Sequence, residues 1–423
     1  MQRRYLGLAA AGVATVMAAA LSGCGDTAAT GDVTLRLVAA DYGNSSENSS
    51  QKYWDRLAAD FEAGHSGIDV DVKVYNWNEV DTRVADMVKH GNPPDMAQIG
   101  AYADYAAQDR LYSADELLSI PNQADFIPSL AEAGEVHRVQ YGLPFVSSTR
   151  VLFYNKAHFA KAGITQPPRT WDELRDTAVA LKRAGVPVPY GLPLGPEEPQ
   201  AEALNWILGG GGGYTDKIGT YTIDSDENIR TFQWLRDEMV AKGLTNPHPA
   251  KTDRRDVFSA FTQGKVGMLN GHPTLMGMAE KNNVDYGMVP LPGRRGTSPA
   301  TTGVADWMMA FKAGGHRAEV GKFLDFVYSK KNVLEFAEQY NLLPVTNSAS
   351  EAMRGNRKNR SLWPFLEQLP SAEFYPVNKQ SWAPVAKKLK LTIGKTVEQG
   401  GDPASVLAEL QREADASENA SPS

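Results

Sequence analysis

The chain has one cysteine in 423 residues, Cys24, which excludes disulfides, thiolate metal clusters and thiol catalysis. Its stability therefore comes from burying a core. Histidine is scarce too, and the seven copies are scattered without the spacing of a zinc site. Neither a metal nor a cofactor is expected. Basic residues are outnumbered, 43 against 50 acidic, and a net charge of −7 argues against a nucleic-acid partner, which needs a basic face. The apolar run Tyr5 to Leu21 is too short and too rich in alanine to make a good transmembrane helix. The five glycines Gly209 to Gly213 lack the Lys and Ser or Thr that would follow in a phosphate loop. Such a run instead lets a loop bend close to a cleft, presenting Trp206 and Tyr214 on either side.

What is present begins with a basic Met1 to Arg4, the apolar run, and the small-residue site Leu21, Ser22, Gly23, Cys24. This resembles the lipobox of a bacterial lipoprotein. It implies a signal peptide over 1–23, acylation of Cys24, and a polar tether over 24–32 holding the protein at the extracytoplasmic face of the cell membrane.

The remaining length exceeds what one hydrophobic core accommodates, so two domains are expected. Val33, Leu35 and Leu37 alternate as a strand, Tyr53, Trp54, Leu57, Ala58 and Phe61 share a helical face, and Ile68, Val70, Val72 and Val74 alternate again. A helix through Val80, Val84, Met87 and Val88 and a strand Met96 to Ile99 complete a β-α-β-α-β order, the signature of an open, largely parallel sheet. Ligands of such sheets bind beyond the carboxyl ends of the strands, which points to Asp41, Tyr42, Gln98 and Tyr102. The stretch Tyr141 to Asn155 then reads as two strand pieces around Ser147, Ser148 and Thr149. Pro144 disfavours one continuous strand, so the chain is expected to cross here between two lobes and present Ser148, Thr149 and Arg150 to a cleft.

Thr170 and Glu173 form a capping box ahead of a helix through Trp171, Leu174, Ala178 and Leu181. Val266 to Leu269 is a strand running into Asn270, Gly271, His272 and Pro273. Two further crossings are expected near Asp306 and Trp307 and at Leu342 to Val345. The lobes divide as 33–145 with 300–342, and 146–299 with 343–414. A short helix opens at Asp402 and Pro403, and 415–423, without apolar anchors, reads as disordered.

The segments GLPF, VLFYNKAHFAKAGI and PPRTWDEL, with NPPDM upstream and GKVGMLNGHP and VDYGMVPLPG downstream, are similar to the extracellular solute-binding proteins of bacterial carbohydrate ABC transporters, the maltose-binding-protein superfamily. The resemblance covers nearly the whole chain after the signal. It implies a two-lobed α/β periplasmic-binding-protein-like fold, monomeric, that closes on a saccharide and delivers it to permease subunits. It also implies roles for Asp41 as an acidic group taking sugar hydroxyls, Trp382 as a stacking ring and Tyr214 as an aromatic facing the sugar. Ser148 and Thr149 stand where maltose binders carry a glutamate, and His272 with Pro273 replaces a Pro-Trp pair, with Trp206 or Trp307 as substitute platforms. The chemistry suits a sugar: Asp41 and Asp306 can accept hydroxyls, Arg150 can donate, and Asn270 and the aromatics complete the site. Other solutes remain open, namely a glycerol-phosphate ester, an amino acid or a polyamine. A secreted glycosidase would need paired carboxylates on the order of 5 Å or 6.5 to 9.5 Å apart; no further motif supports it, and a non-enzyme is expected.

Overall fold

The computed structural model describes residues 32–43, 48–77 and 79–420. The signal peptide, Cys24 and all but the end of the tether lie outside these. Among the described residues no helix is long and apolar enough to cross a membrane.

The N-terminal elements follow the hydrophobic pattern: β1 (Val33–Ala40), α1 (Ser50–Glu62), β2 (Ile68–Tyr75), α2 (Val80–Lys89) and β3 (Met96–Ile99). β2 alternates buried and exposed residues along its first six positions, as a strand covered on one face must. Ser49 caps α1 by accepting from the Gln51 amide, and the stripe Tyr53, Trp54, Leu57, Ala58, Phe61 is buried. After β3 come β4 (Leu143–Ser148), β5 (Val151–Asn155), α3 (Trp171–Arg183), β6 (Val188–Gly191), α4 (Pro199–Gly210) and α5 (Asp226–Trp234). β7 (Val266–Gly271), β8 (Tyr286–Val289), β9 (Val304–Ala310), α6 (Arg317–Val327), α7 (Lys330–Tyr340), α8 (Trp382–Thr392) and α9 (Pro403–Ala420) complete the named elements.

Two sheets organise the chain. The first runs β2-β1-β3-β9-β4 and the second β8-β5-β7-β6. β1 is parallel to β2 and β3, whereas β9 enters antiparallel between β3 and β4. The first sheet is therefore mixed, because the strand inserted between β3 and the edge strand β4 arrives from late in the sequence. β4 and β5 are consecutive yet belong to different sheets, so the chain does cross between lobes at Ser148, Thr149 and Arg150.

The crossings are tied together. Ser147 and Leu343 exchange both backbone hydrogen bonds, at 3.0 and 2.9 Å, and the Thr301 hydroxyl accepts from the Arg150 amide and donates to its carbonyl. The expected boundary at 343 moves. Val345 accepts from the Ile127 amide, Asn347 and Ser348 bond the Phe126 and Asp125 region, and Asn359 donates to Glu338, so this segment stays on the first lobe. The return comes at Ala372 and Glu373, which pair with Thr301 and Thr302. The expected disordered tail is corrected over 415–420, while 421–423 lie outside the described residues. α9 continues to Ala420, held by Lys379 and Ser381 donating to Glu418.

Candidate functional site

Tyr42 follows the carboxyl end of β1, and packing fixes its ring. Phe336 of α7 meets it edge-on at 5.2 Å and is itself wedged against Tyr53 and Phe145. The Tyr42 hydroxyl donates to Asp306 Oδ2 at 2.7 Å and accepts from Gln98 Nε2 at 2.8 Å, while Gln98 Oε1 accepts from the Ala40 amide. Three strands of one sheet thus converge on a single polar chain. Burial pushes the Asp306 carboxyl up to about 7, against the Tyr42 bond and with help from the charges of Asp81 and Glu198. On the far side of Tyr42, at 5.5 Å and edge to face, stands Trp77, one of the few exposed large apolar residues.

A second polar chain lies at the crossing and on the second lobe. The buried Arg150 donates to Ser148 Oγ at 3.2 Å and to Glu198 Oε1 at 3.1 Å. Arg254 lies 2.9 Å from Glu198 through Nε, pairs with Glu197 at 2.8 Å and donates to His272 Nε2 at 2.7 Å. Burial, with the charges of Arg150 and Arg254, holds His272 well below the ordinary imidazole range, neutral and able to accept that bond. Beneath them Glu202 of α4 accepts from Trp206 Nε1 at 2.9 Å and Asn270 Nδ2 at 3.1 Å, and its burial pushes the carboxyl up to about 8.

Tyr375 lies between this cluster and an interlobe concavity. Its hydroxyl is buried without a hydrogen-bond partner among the described residues, and its pKa is raised by burial and by Glu198. The residue also lines a cleft of about 910 Å³. One wall of that cleft is the first-lobe stretch Ser129 to Arg138, and the other is the loops Thr215 to Gly219 and Pro370 to Gln380. Of the groups described above, Tyr375 is the one that lines this cleft, and its ring supplies aromatic surface there; the two polar chains and Trp77 are not in the lining.

Residues 44–334 match the family of bacterial extracellular solute-binding proteins. The chain belongs to that family. A Brucella abortus protein named only as a binding protein is 28% identical over 388 residues, covering 90% of this chain and 92% of its own. The sn-glycerol-3-phosphate-binding periplasmic protein UgpB of Brucella melitensis is 26% identical over 325 residues, 70% of this chain and 72% of that one. Two solved structures share the fold. The cyclic alpha-maltosyl-1,6-maltose binding protein of Arthrobacter globiformis has a TM-score of 0.79 at 18% identity, covering 92% of this chain and 100% of that one. The sugar-binding protein MalE of Xanthomonas citri has a TM-score of 0.78 at 20% identity, covering 92% and 98%.

Within this solute-binding protein the residues singled out from sequence divide by location. Tyr42, Gln98, Asp306, Ser148, Arg150, Asn270 and His272 fall in the two polar chains. Asp41 does not offer its carboxylate freely. Burial raises its pKa, but the amides of Ser50 and Gly43 and the hydroxyls of Ser49 and Ser50 outweigh that and bring it below the usual range. Thr149 is fully buried and donates to the Phe365 carbonyl at 2.9 Å. Tyr102 and Trp307 pack on each other at 5.2 Å, in the first-lobe core. Trp206 packs with Trp171, Tyr190 and Trp234 in the second. Tyr214 donates to the Gln200 carbonyl and sits 5.5 Å from Trp382, which is stacked beneath Tyr375.

The glycine run behaves differently from expectation. A Cβ on Gly210 would come within 2.1 Å of Thr231 Oγ1, and one on Gly212 within 2.0 Å of Asn228 Oδ1. The glycines let α4 and its following turn pack against α5, and they are absent from the cleft lining. Sequence reasoning missed Trp77, Glu197, Glu198, Glu202, Arg254 and Tyr375. Trp77 had a usable signal, since it follows the carboxyl end of β2 just as Tyr42 follows that of β1.

Proposed function

We propose that this protein captures a saccharide, of two or more sugar units, between its lobes and presents it to the permease of an ABC importer. The observation that carries this reading is the charge balance of the site. Both guanidiniums, Arg150 and Arg254, are already matched by Glu198 and Glu197. A phosphate ester would have to displace those carboxylates, whereas a neutral polyhydroxy ligand needs only the donors and acceptors they orient. Tyr42, Asp306 and Trp77 contribute from the first lobe, Arg150, Glu198, His272 and Tyr375 from the crossing and the second. The 26% identity to a glycerol-3-phosphate-binding protein favours a second reading, a glycerol-phosphate ester, for which the two guanidiniums are the relevant groups.

Catalysis has little to support it here. Asp41, one of the two carboxylates a glycosidase reading would use, is occupied by local amides and hydroxyls. Anchoring through acyl chains on Cys24 belongs to the same proposal, and replacing Cys24 with alanine is expected to release the protein from membranes.

The test is a thermal-shift screen of the purified protein against mono-, di- and trisaccharides beside glycerol 3-phosphate, amino acids and polyamines. A shift with a saccharide that is recovered intact supports the reading. A shift with glycerol 3-phosphate alone moves the assignment to the ester, and a cleaved sugar makes the protein an enzyme.

A further inference from the structure

Two features of the sequence that the cleft leaves unused meet on the second lobe. Gly209, Gly210 and Gly211, at the end of α4, and the loop from Gly293 to Thr297 line one concavity of about 480 Å³, with Glu227 and Arg230 of α5 in its wall. It shares no residue with the interlobe cleft. The loop is pinned. Gly293 donates to the Gly296 carbonyl at 2.7 Å, Ser298 to Leu291 at 2.8 Å, and the Arg294 amide to the Gly209 carbonyl at 2.9 Å.

On this pinned loop Arg294 and Arg295 are exposed, and their side chains bond no described residue. The third guanidinium, Arg230, pairs with Asp226 and Glu227. Three cationic forks thus line a concavity whose lining holds one carboxylate, Glu227, with Asp226 beside it paired to Arg230, so Arg294 and Arg295 are left without an anionic partner among the described residues, on a chain whose net charge is −7. The amides of Arg295 and Gly296 also donate to no described residue. A Cβ on Gly211 or Gly296 would meet nothing within 4 Å, so the space in front of this backbone is open.

Arg294 and Arg295 both line this concavity, and like charges gathered at one site repel each other. An oxyanion removes that repulsion, and planar forks with backbone amides beside them suit a group with several acceptor oxygens. Free phosphate carries four oxygens on a tetrahedral centre and uses more of these donors than a planar carboxylate does, while a phosphodiester headgroup presents two non-bridging oxygens to the same forks. We propose that the concavity between Gly209–Gly211 and Gly293–Thr297 is a phosphate-binding site, filled by a free phosphate or by the headgroup of an anionic phospholipid. It is independent of the saccharide reading of the cleft.

The experiment has two arms, each run on the purified protein and on the double variant Arg294→Ala/Arg295→Ala. Inorganic phosphate is titrated calorimetrically against a sodium chloride and sodium acetate control of matched ionic strength. In parallel, the protein is co-sedimented with phosphatidylcholine vesicles with and without phosphatidylglycerol. The expected result is saturable phosphate binding above both controls, weakened about tenfold or more in the double variant, whose thermal midpoint is unchanged because those exposed side chains make no hydrogen bond or ion pair with a described residue. Retention that requires phosphatidylglycerol and both arginines assigns the lipid headgroup, and phosphate binding without such retention assigns the free ion. The proposal is overturned if neither arm shows binding above its controls, if acetate matches phosphate, or if the double variant binds as the unaltered protein does.

Discussion

Trp77 is 37% exposed beside Tyr42, so truncating it removes aromatic surface without opening a core cavity. Trp77→Ala is expected to cost about 1 kcal/mol of stability, from its edge-to-face contact with Tyr42, while weakening saccharide binding about tenfold, read by denaturation and calorimetry on the same sample. Arg150→Ala should do the reverse in proportion. It removes one of the two guanidiniums beside Glu198, leaving Arg254, and is expected to cost about 2 kcal/mol in urea unfolding, with ligand binding reduced as well. Glu202 sets a pH dependence. Its folded pKa is raised by burial to about 8 from an ordinary 4.5, so the folded state binds a proton that the unfolded state releases across that interval. Stability from this group is therefore fully present below about pH 4.5 and is lost as pH rises through 8. Glu202→Gln should flatten the decline, worth on the order of 3 kcal/mol between pH 5 and pH 9, in denaturation midpoints measured across that range. An unchanged slope would show that Glu202 titrates normally. These roles were hard to read in advance. Glu202 lies on a helix with almost every residue buried, where no periodicity distinguishes a carboxylate in the core from one on a surface.

At the scale of elements, α9 shows what a hydrophobic pattern misses. Ala414 is its last fully buried position, and the turns beyond it carry no apolar anchor. What extends the helix to Ala420 is Glu418 accepting from Lys379 and Ser381, whose loop lines the interlobe cleft. Ending the chain after Ala414 is expected to cost only about 1 kcal/mol, since the ion pair is partly exposed, but to speed amide exchange across 375–381. Exchange rates unchanged there would mean that the loop is held by the Tyr375 and Trp382 stack alone. The elements that were read correctly, α1, β2 and the capped α3, share a reason. Each has a regular period and a local stop signal, and each buries one face against its own neighbours. β9 lacked that advantage, because its place between β3 and β4 depends on pairing over more than 150 residues of sequence.

For the molecule as a whole, the two sheets joined at several crossings make closure the expected response to a ligand that touches both lobes. Saturating saccharide should reduce the radius of gyration in small-angle scattering, and at 100 times its dissociation constant should add about 2.7 kcal/mol of stability. Stabilisation with no change in radius would place the ligand on one lobe only. The sequence by itself determined the α/β class, the presence of two lobes, the crossing at Ser148 to Arg150 and the resemblance to solute-binding proteins, because these rest on local period, turn chemistry and contiguous motifs. Only the tertiary structure decided which polar groups meet. Asp306 reaches Tyr42 across 264 positions and Arg254 reaches Glu198 across 56, while Trp206, Trp307 and Thr149 turn inward. Side chains of the same type are sorted into site or core by which face of a packed layer they occupy, and that face is set by strand order and helix docking.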